Sequence, residues 1–154
     1  MKKTTHPIQS TVNNTTDAVN TFDAISYEKG ASFIKQMSHF VGRDILTDGM
    51  NEYFTKFALK NTQLPDFITC LQNAAVKNGE DMDIQSWTDS WLTKAGANEI
   101  KAHFDKVDAS GNGTITIEQF YPCVGDKVYH SQVIQIKFFG SNHESHIQKF
   151  NLLA

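Results

Sequence analysis

Residues 105–120 carry oxygen-bearing side chains at intervals close to those of a calcium-binding loop. With Asp108 taken as the first position, polar residues and glycines fall at the intermediate positions. The twelfth position, where calcium needs a bidentate acid, is the neutral Gln119, and Glu118 comes one residue too early. The count therefore favours a glycine-rich hairpin turn over calcium binding.

A second candidate is the stretch His-Glu-Ser-His at 143–146, which is one residue shorter than the HExxH zinc signature. In HExxH the i, i+4 spacing places two imidazoles on one helix face, with the glutamate beside them to activate water. A spacing of three, between Gly140 and a predicted strand, does not achieve this. The remaining histidines show no ligand spacing either, and they are His6, His39, His103 and His130. We expect no zinc site within this chain.

The overall composition excludes several classes of protein. The chain has 154 residues, 40% hydrophobic and 20% charged, with a net charge of -3, which is typical of a globular protein. Its 14 Lys and Arg are scattered among 17 Asp and Glu, so we expect no nucleic-acid partner. No apolar run is long enough to predict a membrane segment or a signal peptide. Two cysteines, Cys70 and Cys123, build no disulfide framework and favour a reducing, cytoplasmic location.

The first half of the chain predicts an extended lead-in followed by an amphipathic helix. Residues 1–22 are polar and rich in Thr and Asn, whose side chains compete for local hydrogen bonds. From Asp23 onward the pattern becomes helical, because Tyr27, Ile34 and Val41 recur every seven residues. We predict that these three side chains share one apolar face.

Three further helices and a few strands follow. Gly, Pro and capping residues mark the helix ends, and they predict helices from the break at 42–44 to about 60–61, from Leu64 to 78–79, and from Asp83 to Gly96. After about residue 103 the apolar period shifts towards two. Residues 114–117 and 133–139 are rich in β-branched and aromatic side chains and predict strands. The chain is thus expected to be mainly α, with a short β segment and no internal repeat.

Several motifs occur in an order that points to one family. They are Thr-His-Pro-Ile at 5–8, Phe-Asp-Ala-Ile-Ser-Tyr-Glu-Lys-Gly-Ala-Ser at 22–32, Gly-Arg-Asp at 42–44 with Tyr53-Phe54, and Trp91-Leu92 before Ala95-Gly96. In these residues the chain resembles the M1 family of zinc aminopeptidases, in the stretch that follows their metal-binding helices. The similarity is strong over residues 4–100 and weaker over 101–139.

The resemblance implies a fold and a domain plan. Residues 23–102 would form the helical C-terminal subdomain of a thermolysin-like catalytic domain. Residues 103–154 would be a β-rich segment that starts an incomplete β-sandwich domain, and residues 1–22 the extended lead-in.

The resemblance also implies a role for Tyr27. In M1 enzymes the tyrosine of this motif donates a hydrogen bond to the oxyanion that forms at the scissile carbonyl, and by motif match it is Tyr27. A phenol remains protonated at neutral pH, so it can donate to developing negative charge without activation. Gly30 and Ala31, on the same helical side, are small and would let a substrate approach. A lone tyrosine at a helix start would more simply be a core aromatic.

The chain also departs from the family. M1 enzymes bind zinc through HExxH and a downstream glutamate, and recognise the substrate amino terminus through a GxMEN strand. None of these motifs occurs in this sequence. Zinc is therefore the cofactor of the full-length family, whereas none is expected in this chain, and we expect the chain alone to be catalytically inactive.

Three hypotheses follow. The first is a fragment of an M1-type metalloaminopeptidase, which removes N-terminal residues from peptides, with peptide substrates and the missing zinc-binding half as partners. The second is a non-catalytic helical module derived from that family, which binds a peptide or protein. Calcium binding is the third.

Overall fold

The structure is a computed structural model that describes residues 5–105, 107–110, 112–121, 127–140, 142 and 144–152. Within these ranges, five α-helices precede four strands, which confirms the mainly α class with a short β segment. The helices are α1 (Thr15–Asn20), α2 (Gly30–Val41), α3 (Arg43–Lys56), α4 (Leu64–Lys77) and α5 (Ile84–Leu92). The strands are β1 (Glu99–Phe104), β2 (Ile115–Phe120), β3 (Gln132–Phe139) and β4 (Ser145–Leu152).

The lead-in is not wholly extended, because helix α1 lies within it. The Asn14 side chain accepts a hydrogen bond from the Asp17 amide at 2.9 Å and so caps this helix. The local hydrogen bonding that we expected to oppose a helix instead starts one. Further upstream, the Gln9 amide donates to the Leu92 carbonyl at 2.8 Å, and the lead-in is thereby attached to the end of α5.

The predicted face of the next helix is confirmed for Val41 and wrong for Tyr27 and Ile34. A π-helical turn, Ile25–Lys29, precedes α2, and the buried residues of α2 are Phe33, Met37 and Val41. Tyr27 and Ile34 are 61% and 51% exposed. Because a π turn holds more residues than an α turn, a heptad count that starts at Tyr27 does not carry over into α2.

Helices α3 and α4 pack closely along their lengths. A Cβ built on Gly49 of α3 would lie 2.6 Å from Leu71 Cδ2 on α4, so only glycine fits at this approach. Gln63 and Asp66 form the capping box of α4 and Gly79 follows its end with φ 77°, which confirms its predicted limits. The end predicted for the preceding helix at 60–61 is wrong, because α3 stops at Lys56.

The core lies between α2, α4 and α5. Trp87 of α5 stacks on Phe40 with ring centroids 4.7 Å apart and on Phe33 with centroids 5.3 Å apart. Asp83 caps α5 as predicted, by accepting from the Ser86 amide at 2.9 Å. This helix ends at Leu92 rather than at Gly96.

The β segment consists of two antiparallel pairs, β1 with β2 and β3 with β4. Strand β1 begins at Glu99, so the β structure starts before residue 103, inside the range expected to be helical. Asp108 lies in the connection between β1 and β2, and its Oδ1 accepts from the Ser110 and Asn112 amides at 2.8 and 2.9 Å. This connection is the predicted hairpin; its residues 106 and 111 lie outside the described ones.

Candidate functional site

Tyr27 lies on the surface, in the π-helical turn that precedes α2. Its side chain is 61% exposed, and its ring contacts Phe22 edge-on with centroids 5.2 Å apart. A Cβ added at Gly30, one helical turn further along, would meet no atom within 4 Å. The phenol is therefore open to an approaching group.

One carboxylate fixes the backbone that leads into Tyr27. Asp23 Oδ1 accepts from the Ile25 amide at 2.9 Å and from the Ser26 amide at 3.1 Å. The Tyr27 amide donates to the Asp23 carbonyl at 3.3 Å. We call residues 23–29 the Tyr27 turn. Asp23 acts as its N-terminal cap.

The imidazole of His6 attaches the lead-in to this cap. His6 Nε2 donates to Asp23 Oδ2 at 2.9 Å, and Nδ1 donates to the Pro7 carbonyl at 2.7 Å. These two hydrogen bonds raise the pKa of His6 above its ordinary value. The hydrogen bond from His6 and those from the Tyr27 turn lower the pKa of Asp23. The two motif segments 5–8 and 22–32 are thus joined directly.

The other end of the Tyr27 turn is attached to the helical core. Lys29 Nζ donates to the Lys94 carbonyl, just beyond α5, at 2.8 Å. Partial burial lowers the pKa of Lys29. Tyr27 is consequently held between two attachments, one through Asp23 and one through Lys29.

One cavity lies beside the Tyr27 turn. A cavity of about 310 Å³ is lined by residues that include Glu28, Lys29, Trp91 and Gln132. A larger one, of about 500 Å³, lies between α3 and α4. Tyr27 lines neither of these two cavities.

The described residues show no cluster of metal-binding side chains. No group of three His, Cys, Asp or Glu side chains among them could hold a metal ion. His6 uses both ring nitrogens in hydrogen bonds, and His103 pairs with Glu118 at 2.9 Å. His146 lies on strand β4 rather than on a helix, and His143 lies outside the described residues.

His130 has an environment that its sequence position does not reveal. It is fully buried, and its ring stacks on Trp91 with centroids 4.3 Å apart. Neither ring nitrogen has a hydrogen-bond partner in the described part of the chain. Burial, and after it the charge of Lys29, lowers the pKa of His130. These surroundings are typical of a side chain that packs in the protein interior.

Sequence reasoning assigned Tyr27 but missed the residues that hold it. His6, Asp23 and Lys29 all stand within the quoted motifs, and that membership was the available signal. Their spacing along the chain carries no information about contact, because the hydrogen bonds they make span 17 and 65 residues. Only the folded chain brings them together.

The described residues contain no helix long and apolar enough to cross a lipid bilayer. Of the two cysteines, Cys70 is a buried free thiol, and Cys123 lies outside the described residues.

Comparison with known proteins gives the same family over most of the chain. The model of the peptidase family M1 domain matches residues 1–91. Aminopeptidase N of Streptomyces lividans is 32% identical over 112 residues, which are 73% of this chain and 12% of that protein. Mitochondrial aminopeptidase 2 of Saccharomyces cerevisiae is 32% identical over 117 residues, 76% of this chain and 11% of that protein.

A third relative is named as an ectoenzyme rather than as an aminopeptidase. The thyrotropin-releasing hormone-degrading ectoenzyme of Rattus norvegicus is 30% identical over 122 residues, 79% of this chain and 11% of that protein. The chain therefore spans about a tenth of the length of these relatives. The match over residues 1–91 and the shared identity establish that the chain belongs to peptidase family M1.

Proposed function

We propose that this chain supplies the oxyanion donor of an M1-type metalloaminopeptidase, which removes N-terminal residues from peptides. The observation that carries the proposal is the placement of Tyr27, whose exposed phenol stands on a turn held at both ends. Relatives named as aminopeptidases support the reaction class.

The chemistry asked of Tyr27 is limited and suits a phenol. When water adds to the scissile carbonyl, negative charge develops on the carbonyl oxygen, and a hydrogen-bond donor already aimed at that oxygen stabilises it. The two attachments of the Tyr27 turn reduce the reorganisation needed at that moment. This chain contributes the donor and its support.

The remaining chemistry would come from residues other than those of this chain. HExxH, its downstream glutamate and GxMEN are absent from the sequence, and the described residues hold no three-donor cluster. The attacking water, its activation and the recognition of the substrate amino terminus are therefore assigned elsewhere. We propose that the chain alone is inactive and that its partner is a zinc-binding half of the same family.

The exposed apolar side chains near Tyr27 support a partner of this kind. Val19, Phe22 and Ile34 are 68%, 72% and 51% exposed. Large apolar side chains this exposed are typical of a surface that packs against another element. The alternative, a non-catalytic peptide- or protein-binding module, would be a monodisperse monomer with little affinity for a hydrophobic dye. Strong dye binding or aggregation in size-exclusion chromatography would count against that alternative.

The decisive experiment measures hydrolysis of an aminoacyl arylamide by the chain, alone and with the zinc-binding half of an M1 enzyme supplied in trans. No turnover is expected from the chain alone. In the reconstituted pair, Tyr27→Phe should lower kcat by about 100- to 1,000-fold, the usual effect of losing one oxyanion donor. Tyr129→Phe, which alters another exposed tyrosine, is the matched control and should leave kcat unchanged.

Two results would contradict the proposal. Turnover by the isolated chain that Tyr27→Phe abolishes would show that no second half is needed. An unchanged kcat for Tyr27→Phe in the reconstituted pair would remove Tyr27 from its role.

The cellular compartment is also a proposal. The low cysteine count favours the cytoplasm. The relatives include a mitochondrial enzyme and an ectoenzyme by name. Fractionation of the native host, with detection of this chain, would decide between them.

A further inference from the structure

Two segments distant in sequence meet where His6 contacts Asp23. We propose that His6 is a positioning residue for Tyr27: its protonated ring bridges the Pro7 carbonyl and the Asp23 carboxylate, and so holds the cap of the Tyr27 turn in place. The consequence for catalysis rests on the proposed function of Tyr27, whereas the contact itself does not.

The geometry requires a particular protonation state. The partner of Nδ1 is the Pro7 carbonyl oxygen at 2.7 Å, and the partner of Nε2 is Asp23 Oδ2 at 2.9 Å. Both partners are acceptors, so both ring nitrogens must carry a proton. Neutral imidazole carries only one. Deprotonation therefore breaks one of the two hydrogen bonds.

Asp23 divides its two oxygens between two tasks. Oδ2 accepts from His6, and Oδ1 accepts from the Ile25 and Ser26 amides that lead into Tyr27. Because both oxygens belong to one planar carboxylate, the hydrogen bond at Oδ2 fixes the rotation that aims Oδ1 at the amides. Without His6 the Asp23 carboxylate can rotate, and the hydrogen bonds that Oδ1 accepts from the two amides are weakened.

The charged groups that act on His6 among the described residues are Asp23 and Lys29. Asp23 stabilises the protonated ring, while the more distant positive charge of Lys29 opposes it weakly. The hydrogen bonds to Pro7 and Asp23 outweigh both the Lys29 charge and partial burial, and the pKa of His6 lies above its ordinary 6.5. The contact is consequently complete below that value and is lost as the pH rises through the raised pKa.

A second histidine–carboxylate pair offers a matched control. His103 Nε2 contacts Glu118 at 2.9 Å, with both side chains about half exposed. This pair lies on β1 and β2, away from the Tyr27 turn. Removing it changes the number of histidines and ion pairs in the same way without touching the cap.

The test follows the whole chain by NMR against pH. The observables are the hydrogen-exchange protection factors of the Ile25 and Ser26 amides and the ring shifts of Tyr27. In the unaltered chain, protection should fall as the pH rises through the His6 titration, and the Tyr27 shifts should follow the same curve. His6→Gln should lower protection by roughly twofold to fivefold at pH 6, the scale of an exposed ion pair, and abolish its pH dependence. His103→Gln should change neither.

The outcomes separate this inference from the proposed function. Protection that stays flat in the unaltered chain while the His6 ring titrates, or equal protection in His6→Gln and the unaltered chain, would overturn the positioning role. The first readout needs no variant, so a failure of His6→Gln to fold does not prevent the test. In the reconstituted pair, an unchanged kcat for Tyr27→Phe would instead end the catalytic proposal while leaving the His6 result intact.

Discussion

His130 stacks on Trp91 with ring centroids 4.3 Å apart and planes inclined by 20°. Trp91 belongs to α5, whereas His130 stands two residues before β3, so this contact joins the helical part to the β segment. The neighbouring Ser131 carbonyl strengthens the same junction, because it accepts from the indole nitrogens of both Trp87 and Trp91 at 2.9 and 3.1 Å. The three rings of this junction, Trp87, Trp91 and His130, are buried.

The burial of His130 predicts that acid weakens the fold. Its pKa is lowered in the folded chain by burial and by Lys29, so the unfolded chain takes up a proton first as the pH falls. The stability associated with the neutral ring is present above pH 6.5 and is lost as the pH falls through the lowered pKa. Urea unfolding at a series of pH values should show this slope. His130→Phe, which keeps an aromatic ring, should remove it, and a slope unchanged in that variant would assign the effect to another group.

The close approach of α3 and α4 predicts opposite effects of alanine at two glycines. At Gly49 a Cβ would lie 2.6 Å from Leu71 Cδ2 and 3.0 Å from Leu71 Cα, so the helices must separate slightly. We expect Gly49→Ala to lower the free energy of unfolding by about 1–3 kcal/mol, the usual cost of overpacking. Gly30→Ala meets no atom within 4 Å and should raise it by about 0.5–1 kcal/mol through helix propensity. Thermal and urea unfolding of both variants measure this, and a Gly49→Ala chain as stable as Gly30→Ala would contradict it.

Local signals in the sequence predicted some elements well. Helix α4 was predictable because a Pro and an acid in the first turn and a Gly after the end act within a few residues. Strand β1 was missed because Glu99–Phe104 has only one β-branched residue, and its hydrogen bonds come from β2.

In the candidate site, too, a local motif was predictable from the sequence, whereas exposure and long-range contacts were not. Tyr27 could be found because a motif of adjacent residues marks it. Its exposure could not be predicted, because the π turn shifts the helical count by a fraction of a turn. The contact between His6 and Asp23 could not be predicted either, since it depends on how the lead-in folds back along α5.

The left-handed backbone conformation of Leu59 predicts that a substitution there stabilises the fold. Leu59 follows α3 with φ 58°, the left-handed region, and its side chain is completely exposed. A branched apolar residue gains nothing from packing there and is strained, whereas asparagine tolerates this conformation. Leu59→Asn should therefore raise the free energy of unfolding by about 0.5–1 kcal/mol. Val76→Asn, at an exposed apolar residue within α4, should give no gain. Equal responses of the two variants in urea unfolding would show that polarity rather than backbone conformation is responsible.

The charge of Lys29 predicts that the pKa values of two histidines change together when it is removed. Its positive charge lowers the pKa of His6 and that of His130. Lys29→Met keeps most of the side-chain length but removes the charge and the hydrogen bond to the Lys94 carbonyl. Both pKa values should therefore rise, and the larger change should be at His130, where the Lys29 charge is the second cause after burial.

Lys35→Met, at an exposed lysine of α2, is the control and should shift neither ring. NMR titration of the imidazole protons measures all three chains. If the two histidines moved in opposite directions in Lys29→Met, the charge of Lys29 would not be the common cause, and a rearranged Tyr27 turn would explain the result instead.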